Sequence, residues 1–495
     1  MMGVHQSQNE LFTYAVQLDK RVRPNHPLRQ ILALVDFSFA RAETARFYGK
    51  NGHVGVDPVI LLKLMFLLFY DNVASERELL ALLPERLDYL WFLGYGLEEK
   101  TPDHSVLSKA RARWGQEVFE SFFVRVVLQC VEKGLVEGGK IHVDSSLIEA
   151  NASTDTVRRG PPQLIAALKA AYQAQEQKLS EPAAPKANDG LMSQSDPDAG
   201  VVSRGPGTAR PRYHHHRAVD NAHGVITAAH TTPGHVVEQS QLGRLLEEHR
   251  ANTHQAIATV VGDHKYGTVD NFVLCQKQGI RSHLGDVQAK QNLFSSQGIF
   301  PESAFTYQGA DNTYRCPAGQ ILKAGTLRAD RGTWEYRAAR GVCAACALRA
   351  QCTRAKGGRT LHRHQHQELL ERARSQSHSR AGRQDRRRRQ QLIEGSFADA
   401  ANNHGFKRAR WRRLWRQQIQ DWMIAAAQNI RILIQRARVQ PGVAAHLLGR
   451  RAQAGYFNLV LTWHTLWSLL TRPDPLFDGC PKIGPAATAP SQAIF

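Results

Sequence analysis

The sequence predicts an α/β protein. It has an all-helical N-terminal domain, then a mixed sheet flanked by helices, with a small cysteine-rich insertion before helix resumes. Three observations carry this. Up to about residue 135, apolar residues recur at helical spacing behind helix-start signals. From 139 onward, short alternating or fully apolar runs alternate with amphipathic segments. Cys316, Cys343, Cys346 and Cys352 crowd into one short stretch that has little apolar content.

In residues 1–135, Asp57-Pro58 is an N-cap and first-turn pair ahead of VILLKLMFLLFY, which reads as a buried core helix. That run contains Lys63 and is too short to span a bilayer. Ser75-Glu76-Arg77-Glu78 is a capping box before LLALLPERL. Thr101-Pro102-Asp103 opens HSVLSKARAR, a basic helix carrying Lys109, Arg111 and Arg113, and WGQEVFESFFVRVVLQCV continues as an amphipathic helix. The basic helix is either a DNA-contacting element or a solvated charged face.

Residues 136–304 begin with KIHVDSS, a short strand that meets a carboxylate, Asp144. Residues 151–210 interrupt with one helix and a Ser, Pro, Gly and Asp-rich loop. RYHHHRAVD and GVITAAHTT form a hairpin across NAH. SQLGRLLEEHR is a helix, AIATVVGD a buried strand, VDNFVLCQKQG a helix and IRSHLGD a last strand. Strand, hairpin, helix, strand, helix, strand is the order of a ribonuclease H-like core. His214 to His216 sit on a strand, where neighbours point to opposite faces, so they read as ordinary strand residues.

Residues 305–360 hold the cysteines. A C-x₂-C pair, Cys343 and Cys346, with Cys352 five residues beyond Cys346's neighbour alanine and Cys316 distant, supplies the four thiolates of a closed tetrahedral Zn²⁺ site. A metal would give such a segment the stability its apolar content does not. Cys130, Cys275 and Cys480 lie in apolar segments and read as core. Residues 361–440 return to helix, first Arg-rich and then apolar in DWMIAAAQNIRILI, which fits packing on the sheet. Residues 441–495 form a C-terminal tail with one apolar segment, FNLVLTWHTLWSLL.

The net charge is +20 at pH 7, which favours a polyanionic partner, nucleic acid before membrane. MMGVHQSQNELFTY lacks the basic and apolar regions of a signal peptide, so a cytoplasmic protein, associated with the bacterial nucleoid, is expected. Reduced thiols in that compartment favour metal binding over disulfides.

AIATVVGD repeats the oddity of IHVD, an apolar strand that ends on an aspartate. In the order above the two strands are neighbours, so Asp144 and Asp263 would lie side by side. Two like charges there repel, and divalent cations remove the conflict. Mg²⁺ (or Mn²⁺) needs few carboxylates, and a third candidate is Glu394, which follows Leu392-Ile393 on a predicted helix. Asp399 lies elsewhere around that helix, and Asp385 reads as a solvated partner of its neighbouring arginines. Arg386 to Arg389 and Arg408 to Arg416, with Trp411 and Trp415, flank Glu394 and read as phosphate contacts with stacking indoles, or as a solvated face over two buried Trp.

IHVDSSLIEAN, VVGDHKYGT and IEGSFADAANNHGFKRARWR, in this order, resemble the catalytic blocks of bacterial insertion-sequence DDE transposases. LKLMFLLFY, TPDHSVLSKAR, SQSDPDA, RAVDNAHGVITAAHTTPG and QDWMIAAAQNIRIL resemble further segments, and the likeness covers most of residues 20–437. It implies a ribonuclease H-like fold and a triad of Asp144, Asp263 and Glu394. The cysteine spacing resembles a zinc-knuckle insertion of some of these enzymes. The resemblance implies an enzyme that binds element ends as a homodimer on double-stranded DNA, cleaves with Mg²⁺, and joins the 3′-hydroxyl to target DNA. Many relatives carry Lys where Ala401 stands, and some carry Tyr and Arg where Arg387 and Gln390 stand. Those groups touch end DNA, and Lys407, Arg408, Arg410 and Arg412 are the candidates to substitute. The alternatives are a ribonuclease H-like nuclease without strand transfer, or an inactive DNA-binding relic.

Overall fold

The computed structural model describes residues 17–49, 55–175, 190–203, 207–285, 298–329 and 331–437. The tail segment FNLVLTWHTLWSLL and Cys480 lie outside them.

The longest apolar run becomes helix α1, Pro58–Tyr70, and the Asp57 carboxylate accepts from the Val59 amide at 2.9 Å to start it. The helix is apolar all round because it is enclosed; Leu64 to Phe69 have no exposed surface. Lys63 reaches the Phe92 carbonyl at 2.9 Å, which keeps its ammonium satisfied inside the bundle. Ser75 caps α2, Glu76–Leu82, by accepting from the Glu78 amide. The basic helix is α3, Ser105–Trp114, and α4 is Glu117–Glu132. Phe37, Phe66, Phe92 and Phe122 meet at ring distances of 5.5–6.4 Å at the centre of the bundle.

A six-stranded mixed sheet follows. Its strands are β1 Lys140–Glu149, β2 Gly200–Val202, β3 Arg210–Asp220, β4 Ile226–Pro233, β5 Thr259–Gly262 and β6 Arg281–Leu284. β3 pairs antiparallel with β1 along one edge and with β2 and β4 along the other. β1, β5 and β6 are mutually parallel. One face packs on α5 (Leu242–Thr253), α6 (Val269–Lys277) and α7 (Gln367–His378) through Ile141, Val143, Val260, Leu245 and Leu370. The other face meets α8 (Arg380–His404) and α9 (Leu414–Ala437).

α9 is the spine that joins bundle and sheet. Met423 to Ala427 and Ile430 have no exposed surface, and they share one apolar cluster with α1, α4, Ile148 and Tyr213. The change of element type near 135 is therefore not a break in the core. The loop SQSDPDA is more than a connection: Asp196 and Asp198 accept from the Arg413 and Leu414 amides at 3.0 Å each, placing carboxylates at the start of α9. Residues 306–364 form a separate five-stranded antiparallel sheet with its own small core of Phe305, Leu322, Tyr336 and Leu361.

Candidate active site

β1 does not stop at the carboxylate. It runs on to Glu149, but its pairing with β5 stops at His142↔Val261. Two residues further, that register sets Asp144 level with Asp263, the residue just past β5. Asp144 therefore keeps β3 on one side, with Arg217 as its cross-strand partner, and loses its neighbour on the other. Asp263 turns the chain: its carboxylate accepts from the Lys265 amide at 2.9 Å and caps the short turn His264–Tyr266. That turn is clamped by backbone. A Cβ on Gly285 would lie 2.6 Å from the His264 Cα, and one on Gly267 would overlap the Gly285 carbonyl, so both positions must be glycine.

Asp144 accepts from its neighbour's amide, Ser145, and from Arg389 Nη1, both at 2.8 Å. Burial pushes its carboxyl up from the usual range; Arg389 works against this and Asp263 adds to it. On the same face, Arg217 is fully buried, with burial pushing its guanidinium down to about 9 while Asp421, Asp144 and Asp399 oppose the shift. Its Nε donates to His215, Nη1 donates to Ser396 at 2.7 Å, and the plane lies 4.1 Å from the Phe397 ring centre. His215 in turn bonds Asp421 of α9 at 2.9 Å. His214 and His216 point to the other face, so alternation along β3 divides the three histidines as a strand must.

α8 crosses this face with Asp385, Arg389, Ile393, Ala400 and His404 inward, a stripe spaced for one side of a helix. Arg389 is the member that meets Asp144. Glu394 is five residues on, about 140° further round, and is exposed. Following Leu392-Ile393 did not turn it inward, because each residue rotates the side chain by about 100°. Asp399 faces α9, accepting from Gln428 at 2.9 Å and Arg431 at 3.2 Å. Burial opposes its ionisation, yet bonds from His404, Asn403 and Gln428 hold its carboxyl well below the usual range. Asp385 is buried, not solvated; it takes Lys140 at 2.8 Å and His283 at 2.7 Å, both at the sheet. Among the described residues no three His, Cys, Asp or Glu side chains gather closely enough to hold an ion.

The expected DNA contacts divide. Lys109 and Arg113 are exposed on α3, as are Lys407, Arg408 and Arg412 beyond α8. Lys407 donates to Ser146 at 2.7 Å, one turn of strand from Asp144. Arg111 is buried instead, bonded to Glu76 and stacked 3.7 Å from the Trp411 ring centre. Arg410 donates to the Leu68 and Val73 carbonyls and to Asn72, closing the end of α1. These two arginines hold the bundle to the core. Trp415 is buried and Trp411 sits under Arg111 and against Phe69, so neither indole is presented to bases.

Cys316, Cys343, Cys346 and Cys352 line one small cavity of about 30 Å³ with Phe305 and Leu322. Burial pushes the Cys352 thiol up, Arg359 opposes this, and the other three cysteines add to it. The Gln320 amide donates to Cys316 Sγ at 3.3 Å. Cys130 and Cys275 are buried core residues with thiols pushed up to about 12 by burial.

Residues 16–113 match the model of the Transposase domain (DUF772) family, and residues 315–434 match that of the Transposase DDE domain family. The chain thus carries two transposase-family domains, the second of them a DDE domain. The second match places Arg389 and Glu394 of this transposase inside the DDE domain, on the helix that crosses Asp144. Among solved structures, the piggyBac transposase synaptic complex with hairpin DNA aligns at 10% identity, over 86% of this chain and 76% of that one, with a TM-score of 0.33, too loose to define a shared fold. No curated protein matches the transposase. No helix among its described residues is long and apolar enough to cross a membrane.

Proposed function

We propose that this transposase cleaves the DNA ends of its insertion sequence and joins the freed 3′-hydroxyl to target DNA, at a centre built on Asp144 and Asp263. The observation that carries this is the register of β1 and β5, which brings two carboxylates level just past the end of their parallel pairing. The strand order, with β3 and β4 antiparallel on one side of β1 and β5 and β6 parallel on the other, supports a ribonuclease H-like core.

The pair fits a divalent cation. The Asp263 charge adds to the cost of ionising Asp144, and a guanidinium already stands in as counter-charge on Asp144. Asp144 and Asp263 would hold Mg²⁺ or Mn²⁺, which supplies charge neutralisation at the reacting phosphate and a more acidic water. Glu394 completes the set once DNA draws α8 into its working position, with Arg389 released from Asp144 to a phosphate. Arg217, fixed beside Asp144 on β3 by His215 and Ser396, adds a buried positive charge on the same face. Lys407, Arg408 and Arg412 lie along the same edge and bind backbone phosphates, in a complex of two chains, one per element end.

The four cysteines line one cavity without gathering into a ligand set, so a structural Zn²⁺ site there would require their side chains to close on the ion. Metal analysis of purified protein should give about one Zn²⁺ per chain, lost on changing Cys343 and Cys346 to Ser; protein without zinc refutes this part.

A duplex carrying the DNA that borders the gene tests the function. Cut and joined products support the full reading, and cut products alone support a nuclease without strand transfer. The Arg389–Asp144 pair and outward Glu394 favour one other reading, an inactive DNA-binding relic, which would bind the duplex and leave it intact.

A further inference from the structure

Asp144 and Asp263 have a second cationic neighbour, on the flank opposite Arg389. Ser145 points to the other face of β1 from Asp144 and bonds Glu238 through its hydroxyl. Glu238 lies in a short turn before α5 and is only 6% exposed. Its second oxygen takes the Lys265 ammonium at 2.5 Å. His214 braces the same serine at 2.9 Å and is itself fixed at 2.9 Å to the Val236 carbonyl. A carboxylate buried this deeply beside two others is costly to keep, and an ordinary surface ion pair gives no reason for it.

Lys265 gives the reason. It is two residues beyond Asp263, inside the turn that the glycines clamp, yet its side chain is 58% exposed. The next residue, Tyr266, is fully buried, and its phenol is pushed well above the usual range by burial and by Glu238, Asp144 and Asp263 together. Asp263 caps this turn and Glu238 holds its Lys265; Lys265 and His264 are its exposed members, and of the two Lys265 is the one fixed to a buried carboxylate.

We propose that Lys265 contacts a non-bridging oxygen of the reacting phosphate, and that Glu238, braced by Ser145 and His214, is the positioning residue that aims it. This rests on the function proposed above. Arg389 and Lys265 would then bracket the carboxylate pair from its two faces. In the transition state of phosphoryl transfer the equatorial oxygens carry the charge, and a fixed cation there stabilises it without reorganising.

The test uses full-length protein and the gene-bordering duplex, with cleavage rates at saturating DNA and binding by anisotropy. Lys265→Ala should lower the cleavage rate on the order of 100-fold while binding changes less than about threefold, as for loss of one oxyanion contact. Lys265→Arg should recover about tenfold of that loss. Glu238→Gln keeps the bond to Ser145 and loses the charge, and should cost about tenfold in wild type but little more in the Lys265→Ala background. An unchanged rate in Lys265→Ala, or equal losses in Lys265→Ala and Lys265→Arg, overturns the contact. Additive losses for Glu238→Gln and Lys265→Ala overturn the positioning role. A wild-type protein that does not cut the duplex sinks the proposed function, whatever the variants do.

Discussion

The strand-borne and helix-borne halves of the site are built with different tolerances. Asp144 and Asp263 are placed by backbone: a parallel ladder, a carboxylate cap at 2.9 Å, and two glycines that admit no side chain. Arg389 and Glu394 are placed by the rotation of one helix, α8, whose inward stripe delivers an arginine to Asp144 and leaves the glutamate outside. A strand gives two choices of face, whereas a helix turns about 100° per residue. The aspartate pair is therefore held by backbone, and in the proposed function the helix is the part that adjusts.

The largest effect expected is on the fixed half. Asp144→Asn or Asp263→Asn should lower end cleavage by roughly a thousandfold or more, with duplex binding nearly intact, since phosphate contacts remain. Cleavage by either variant at a substantial rate removes that residue from the centre. Glu394→Gln should cost on the order of 100-fold in cleavage, yet leave cation binding to the DNA-free protein unchanged, if Glu394 joins the pair only in the proposed complex. Equal loss of cation binding in all three variants would erase the distinction between the halves.

Smaller effects probe how each half is held. Gly285→Ala forces a methyl against His264 and the Asp263 carbonyl carbon, and should destabilise by about 1–3 kcal/mol in urea unfolding. Arg389→Ala removes a half-buried partner of Asp144 and should cost about 1–2 kcal/mol, since it leaves the carboxylate less well paired. If Arg389→Ala were the more damaging of the two, the helix would be the rigid half.

The sequence made the strand-borne half legible because two apolar runs each met an aspartate, and element order made those strands neighbours. The same alternation divided His214 to His216 between faces. The helix-borne half was less legible because Ile393 is inward and Glu394, one residue later, is not; the informative signal was the i, i+4 series Asp385, Arg389, Ile393. Asp385 sat among arginines in sequence but pairs with Lys140 and His283, which lie far away along the chain. Arg111 and Arg410 belonged by composition to basic segments, and only tertiary packing shows that each closes a contact between bundle and core. Glu238 carried no local pattern, because its partners Ser145 and Lys265 come from the middle of β1 and the turn after β5.

The most direct test of the central claim is Mn²⁺ binding to the DNA-free protein by isothermal titration calorimetry, for wild type, Asp144→Asn and Asp263→Asn. A shared carboxylate site predicts one binding event in wild type that is lost or weakened at least tenfold in each single variant, with all three proteins folded. Equal Mn²⁺ binding by wild type and either variant would contradict it.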